Sequence, residues 1–330
     1  MASHPLLRSP ATVGDLERVE RELRRAVETE EPALTEMASH LIVAGGKRIR
    51  PLLALAAGAC AEDHDGPATH SAVMGAVSVE LVHLGSLHHD DVIDEAVTRR
   101  RVQSVNAKWG NLRAILSGDF LLAKASEIAA GLGTETAALL ASTIGRLCQG
   151  EVAELQTAYQ LERSEASYLR SIAGKTATLF SAATRIGAIV GELPREHIDR
   201  LTEFGTAYGM AFQVIDDILD LVATDEQLGK PAGHDLIEGV YTLPVLRALR
   251  APGAEELSGL LGRPVNGEDW ERARSLVRAS GGVEEAIGVA RHYTAYATEC
   301  LGPLGHRPAA QALMESAGHL LSGVESFQRS

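Results

Sequence analysis

The sequence predicts an all-α fold in one domain. Apolar residues recur at helical spacing along nearly the whole chain. Aromatic residues make up only 4% while apolar residues reach 45%, so Ala, Leu, Val and Ile carry the core, a balance that suits packed helices better than a β-sandwich. The breaks between periodic stretches are Gly-, Pro- and Asp-rich turns, and no run of strands separates them. A chain of 330 residues is long enough to bury a substantial core, and no low-complexity linker divides it, so residues 1–330 read as a single domain.

The elements follow in order. Residues 1–12 lack an apolar signal core and read as a flexible N-terminal segment. Leu16, Val19, Leu23, Val27, Leu34, Met37, Leu41 and Val43 step by threes and fours, which predicts a helix over 13–45. Gly45-Gly46 break it, and Pro51 stands near the start of a helix over 51–62. After the turn Glu62 to Pro67, helices are expected over 68–92 and 111–130. Gly131-Leu132-Gly133 separates 111–130 from 134–160, and Gly191-Glu192-Leu193-Pro194 separates 163–190 from 195–222. Beyond Gly229-Lys230-Pro231, shorter helices are expected near 241–250, 255–262, 267–279, 283–301 and 306–325.

Composition also excludes functions. Acidic residues outnumber basic ones 44 to 31, for a formal charge of −13, so no broad basic face offers itself to nucleic acid. Cys60, Cys148 and Cys300 are far apart and without CxxC spacing, which fits buried reduced thiols and neither a disulfide framework nor a cysteine zinc site. Of the longest apolar runs, Pro51–Ala61 is too short to span a bilayer and Ser71–Leu87 contains Glu80 and His83. A cytoplasmic protein is expected, with at most a peripheral membrane contact. P-loop, GxGxxG and HExxH patterns are all missing.

The chemistry concentrates in two copies of one pattern. Asp90-Asp91-Val92-Ile93-Asp94 and Asp216-Asp217-Ile218-Leu219-Asp220 each close a long apolar helix. Residues four apart share a helix face, so Asp90 projects with Asp94 and Asp216 with Asp220. Like charges at that spacing repel, and the negative end of the helix dipole makes the repulsion worse. A compensating cation is therefore expected, and hard carboxylate oxygens suit Mg²⁺ shared with phosphate.

Cations stand beside these acids and not on one surface stripe. Gly45-Gly46-Lys47-Arg48-Ile49-Arg50 is a glycine hinge followed by three basic residues, with Lys47 and Arg50 spaced to share a helical face. Arg99-Arg100-Arg101 follows the first acidic cluster closely, and Gly174-Lys175-Thr176 is expected to interrupt an apolar helix as a turn. His83 lies two turns before Asp90 on the same face. Such a set fits an anionic ligand bridged by metal on one side and clamped by Arg and Lys on the other.

These residues resemble the trans-isoprenyl diphosphate synthases, the polyprenyl synthetases. The likeness is carried by GGKRIRP, ELVHLGSLHHDDVIDEAVTRRR, GKTATLF, FQVIDDILDL and GKPAGHDLIEGVYTLPVL, in that order over about residues 40–250. The resemblance implies an antiparallel helical bundle around a deep central cavity, a homodimer, and two or three Mg²⁺ per active site. It implies sequential head-to-tail condensation of isopentenyl diphosphate onto an allylic diphosphate. Lys47, Arg50, His83 and Arg100 would bind isopentenyl diphosphate. Arg99, Lys175, Thr176 and Gln213 would contact the allylic substrate, with Lys230 a weaker contact. Asp90, Asp94, Asp216 and Asp220 would carry the metals, supported by Asp91 and Asp217.

The chain departs from the family pattern at Arg101, where Gly is common, and at His234 and Val240, where Lys is common. Gly85 and Ser86, then Val82 and Leu81, would form the wall of the tunnel into which product grows. Both residues of the first pair are small, which favours a product longer than farnesyl, C30 to C50, with geranylgeranyl (C20) as the alternative. A class I terpene cyclase and a non-catalytic synthase subunit are the rival readings. The first normally lacks the isopentenyl-binding residues, and the second should have eroded aspartates.

Overall fold

A computed structural model describes residues 4–61, 66–223 and 233–325. The helices are α1 (Pro10–Ala26), α2 (Pro32–Val43), α3 (Ile49–Gly58), α4 (His70–Ile93), α5 (Val105–Trp109), α6 (Asn111–Gly131), α7 (Thr134–Leu155), α8 (Glu165–Ile172), α9 (Thr178–Val190) and α10 (Arg195–Val222). They continue with α11 (His234–Ile237), α12 (Leu243–Ala248), α13 (Glu255–Leu260), α14 (Gly267–Ala279), α15 (Gly282–Cys300) and α16 (Pro308–Glu325). Among the described residues the only strands are β1 (Thr98–Arg99) and β2 (Val102–Gln103), an antiparallel pair. The fold is all-α, as the periodicity predicts. No helix among the described residues is long and apolar enough to cross a membrane.

Four local features differ from the sequence reading. The helix expected over 13–45 is two, because Pro32 opens α2 and holds Glu31 extended at φ −96° and ψ 101°. Residues 173–177 do not break their helix; they form one wide π turn that leads from α8 into α9. The hairpin at 98–103 was not anticipated. In the segment expected to be flexible, residues 5–7 form a 3-10 turn that buries Leu6, and α1 begins at Pro10.

The chain groups into two compact units. The first takes residues 1–144, 179–205 and 303–313; the second takes 145–178, 206–302 and 314–330. In the first unit α4 packs along α3 and α6. Thr69 caps α4, its hydroxyl accepting from the Ala72 N–H at 3.1 Å. Backbones approach closely: a Cβ on Gly187 would stand 2.0 Å from the Ala54 carbonyl oxygen, so α9 meets α3 without a side chain between them. In the second unit Tyr168, Ile172, Ile215, Ile218, Leu221 and Tyr241 lie in one apolar core. That core fixes the end of α10 against α8.

Candidate active site

In the first unit the expected site residues gather at the C-terminal end of α4. Asp94 ends the helix, its N–H still donating to the Asp90 carbonyl at 2.8 Å. Asp90 is half-buried and Asp94 exposed, whereas Asp91 is fully buried. The Asp91 carboxylate accepts from Arg99 Nε at 2.7 Å, and its backbone oxygen accepts from Asn106 Nδ2 at 2.8 Å. Asp91 therefore holds Arg99 and the strand that carries it, while Asp90 and Asp94 keep the accessible side.

The hairpin presents the arginines. Thr98 pairs with Gln103 and Arg99 with Val102, so Arg100 and Arg101 are the two turn residues. Their φ angles are 54° and 66°, the left-handed geometry that such turns normally give to Asn-Gly. Arg101, the departure noted above, thus occupies a position where Gly is unstrained. Arg100 Nη1 donates to the Leu41 carbonyl at 2.8 Å and also to that of Gly45. The guanidinium lies close over Gly46, where a Cβ would stand 2.9 Å from Arg100 Cζ and push it aside.

Beneath the arginines lies Glu80, 2% exposed. It accepts from Arg48 Nη1 at 2.9 Å, and Arg100 Nη2 is 3.9 Å away. Burial pushes the Glu80 carboxyl up, and Arg48, Arg100 and Arg50 pull it back. Arg48 is itself buried in left-handed backbone at φ 49°, with Nε donating to Glu20 at 2.5 Å and Nη2 to the Ile42 carbonyl at 3.1 Å. Arg50 stacks over Phe180 at 4.3 Å. His83 is held well below its ordinary pKa by burial and by the charges of Arg50, Arg100, Arg48 and Arg99, so it is a neutral imidazole among arginines. Arg50, His83, Arg99 and Arg100 are thus brought together. Lys47 does not share a helix face with Arg50, since α3 starts only at Ile49 and Lys47 is an exposed residue before its cap.

The wall residues divide. Leu81 and Val82 are fully buried, and Ser86 is half-buried with its hydroxyl donating to the His83 carbonyl at 2.9 Å. Gly85 faces α6: a Cβ there would meet the Gly118 carbonyl at 3.0 Å and Leu122 Cγ at 3.1 Å. Its small size serves helix packing.

In the second unit Lys175 sits on the wide turn, and Gly150 on α7 makes room for it. A Cβ on Gly150 would lie 2.1 Å from the Lys175 backbone nitrogen. Lys175 Nζ pairs with Glu151 at 3.1 Å and with Glu154. The next residue starts a relay. Thr176 Oγ1 donates to Gln213 Oε1 at 2.6 Å, Gln213 Nε2 donates to Asp217 Oδ1 at 2.7 Å, and Tyr168 Oη donates to Asp217 Oδ2 at 2.6 Å. Asp217 is 4% exposed; burial pushes its carboxyl up to about 7 against the pull of the Tyr168 and Gln213 hydrogen bonds.

Asp216 is exposed. Asp220 is buried and turned toward backbone: its Oδ2 accepts from the Asp235 N–H at 3.3 Å, and its carbonyl accepts from the Gly233 N–H at 2.7 Å. It ties down the segment that opens α11. Val240 follows in the same segment, its N–H donating to the Asp235 carbonyl at 2.8 Å. Lys230 and the side chain of His234 lie outside the described residues.

The donor set fits Mg²⁺. In the first unit Asp90 and Asp94, and in the second Asp216, offer hard oxygens that are not buried, and no group of three or more ligating side chains is assembled among the described residues. An ion bound through one or two carboxylates and completed by substrate phosphates needs no fuller cage. Sequence reasoning missed Glu80, Tyr168, Glu151 and Glu154. For Glu80 there was a signal, a lone acid in an apolar helical run.

The sequence matches the polyprenyl synthetase family over residues 31–278. It is 39% identical to heptaprenyl diphosphate synthase component 2 of Geobacillus stearothermophilus, with 92% of this chain and 94% of the relative covered. It is 38% identical to nonaprenyl diphosphate synthase of Mycobacterium tuberculosis, with 92% and 90% covered. Among solved structures, the polyprenyl synthase from Caulobacter crescentus CB15, complexed with calcium and isoprenyl diphosphate, superposes with a TM-score of 0.89 at 33% identity, covering 96% of this chain and 97% of that one. The ordered motifs, the all-α fold and these likenesses agree: the chain belongs to the polyprenyl synthetase family and is a prenyltransferase.

Proposed function

We propose that the protein adds isopentenyl diphosphate repeatedly to an allylic diphosphate and releases an all-trans product of C30 to C50. The observation that carries this reading is the set Arg50, His83, Arg99 and Arg100 at the acidic end of α4, organised over buried Glu80. A cyclase has no use for a second diphosphate site, and a non-catalytic subunit has no use for intact acids. The names of the relatives at 39% and 38% identity support seven- and nine-unit chains over the C20 alternative.

In this reading Arg50, Arg100 and neutral His83 bind the isopentenyl diphosphate, the imidazole as a hydrogen-bond partner and the guanidiniums as charges. Lys47 adds a cation from the exposed hinge. Arg99, fixed by Asp91, and Lys175, held by Glu151 and Glu154, take the allylic diphosphate. Asp90, Asp94 and Asp216 hold Mg²⁺, which supplies electrophilic stabilisation of the leaving diphosphate when bound. Thr176 and Gln213 turn their dipoles to the allylic cation, and the apolar surroundings keep water from quenching it. The departing diphosphate takes the proton, since no protein base stands out.

We also propose a homodimer that buries Leu112, Ile115 and Leu116, which form one stripe of α6 and are 72%, 41% and 55% exposed. The test of the function is incubation of purified protein with labelled isopentenyl diphosphate, farnesyl or geranylgeranyl diphosphate and Mg²⁺, with mass detection. Prenyl diphosphates of C30–C50 are expected. A hydrocarbon formed from the allylic substrate alone would establish a cyclase instead, and activity only with a second protein would establish a dependent subunit.

A further inference from the structure

We infer that Tyr168 is a positioning residue that acts through Asp217 to fix the working orientation of Gln213 and Thr176. The inference rests on the role proposed above for Thr176 and Gln213 at the allylic substrate.

The direction of the relay follows from chemistry. A carboxyl oxygen that already faces a donor accepts, and each oxygen of Asp217 faces one. Asp217 takes one from Tyr168 on Oδ2 at 2.6 Å and one from Gln213 on Oδ1 at 2.7 Å. Gln213 must therefore offer its amide nitrogen to Asp217, which turns its carbonyl to Thr176. Thr176 in turn must donate, as it does at 2.6 Å. Every proton in the chain is assigned by the acid at its centre, and the acid is oriented by the one partner that belongs to neither substrate contact. That partner is Tyr168, 1% exposed, its ring in the core with Ile172 and Ile218 and beneath Arg163 at 5.6 Å.

A rigid phenol anchored in a core is a better reference point than a flexible side chain, because little freedom remains to be lost. Two dipoles held in advance need no reorganisation when positive charge develops beside them. Without the hydroxyl, Asp217 loses a neighbour on one oxygen and is free to rotate, and the Gln213 amide loses its sense of direction. A merely structural role for Tyr168, that of a buried hydroxyl needing an acceptor, would lower stability but would not act through Gln213.

The variant Tyr168→Phe keeps the ring and removes the hydroxyl. Steady-state and single-turnover condensation should show kcat reduced about tenfold, the scale for loss of an outer partner that orients a working group. KM for isopentenyl diphosphate should stay within about twofold, because Arg50, His83 and Arg100 are untouched. On a Gln213→Ala background the same change should lower kcat by less than about twofold, since its intermediary is gone. An unchanged kcat in Tyr168→Phe, or an equal loss on both backgrounds, overturns the inference while leaving the proposed function standing. Wild-type protein that performs no condensation overturns both. If Tyr168→Phe does not fold, Asp217→Asn serves in its place: a kcat loss with preserved isopentenyl KM supports the relay, and an unchanged kcat refutes it.

Discussion

Glu80→Gln tests the electrostatic design of the first unit. Glu80 is the buried acid that faces three guanidinium groups, with Arg48 at 2.9 Å, Arg100 at 3.9 Å and Arg50 in its field. Glutamine keeps the shape and one accepting oxygen but removes the charge. Removing one partner of a buried pair costs about 3–5 kcal/mol, because the remaining charge is left without compensation. Arg48 retains Glu20 at 2.5 Å, so the loss should fall at the low end, about 3 kcal/mol. For domains of this size each kcal/mol lowers the midpoint by about 2–4 °C, so the unit holding α4 should melt about 6–12 °C earlier. Glu20→Gln should cost less than about 1 kcal/mol, since the Glu20 side chain is 32% exposed and its pairing is partly screened by water. Inorganic pyrophosphate should restore more stability to Glu80→Gln than to the wild type, because the anion supplies the charge that was removed. Paired calorimetric scans decide the matter. If Glu80→Gln melts with the wild type, or Glu20→Gln is the more damaging change, Glu80 is not the hub of the arginine cluster.

Other expectations follow from the same geometry. Arg101→Gly relieves left-handed backbone at φ 66°, worth about 1–2 kcal/mol, against about 0.4–1 kcal/mol of added unfolded-chain entropy; urea unfolding should show a net gain of about 0.5–1 kcal/mol at unchanged slope, and no gain would mean that the turn is unstrained. Stability should fall as pH drops below about 6.5, because the unfolded imidazoles of His83 and His88 take up protons that the folded ones refuse. His88 is pushed down to about 3, chiefly by burial, and should alone cost about 1.4 kcal/mol per pH unit across that window. His88→Asn should flatten the profile in urea titrations at pH 7.5 and 5.5, and an equally steep profile would place the protons elsewhere. Ser86→Phe should shorten the product by at least one isoprene unit on mass detection. Ser86 bonds only within its own helix turn, to the His83 carbonyl at 2.9 Å, so the helix tolerates the change, and an unaltered product would remove Ser86 from the tunnel wall.

What the sequence made legible was whatever depends on helical period or on a short motif. The period placed α4, α6, α10 and the continuous run from α8 to α9 to within a few residues, and the aspartates, arginines and GKT segment named most of the residues of the candidate site. The break at Pro32 was legible as well, since a proline cannot continue the helix before it, but apolar spacing across the break concealed it. The hairpin lay beyond reach for a different reason. Its turn is Arg-Arg, so the Asn-Gly or Asp-Gly signal for a two-residue connection is missing, and strain stands in its place. Tyr168 was hidden by distance along the chain, since 49 residues separate it from Asp217 and nothing local in either segment points to the other.

The aspartate pairs show how far a motif can be read before the fold must take over. In a helix, adjacent residues diverge by about 100°, so two consecutive acids cannot both face one ligand. Asp90-Asp91 and Asp216-Asp217 must each divide into one acid turned toward the ligand and one turned away. The sequence alone does not say what the second would meet. The structure gives Asp91 to Arg99 at 2.7 Å and Asp217 to Gln213 at 2.7 Å, two side chains expected at the allylic substrate. The same spacing therefore does two jobs. On the proposed function, the first acid would offer oxygen to a metal, and its neighbour, buried one step around the helix, orients a side chain assigned to the substrate. Like charges crowded at a helix end are costly. Here the cost to the second acid is met by a guanidinium in one unit and by two neutral donors in the other. The guanidinium takes a full charge and suits a side chain aimed at diphosphate, whereas neutral donors suit dipoles aimed at a carbocation, where an added positive charge would oppose the reaction.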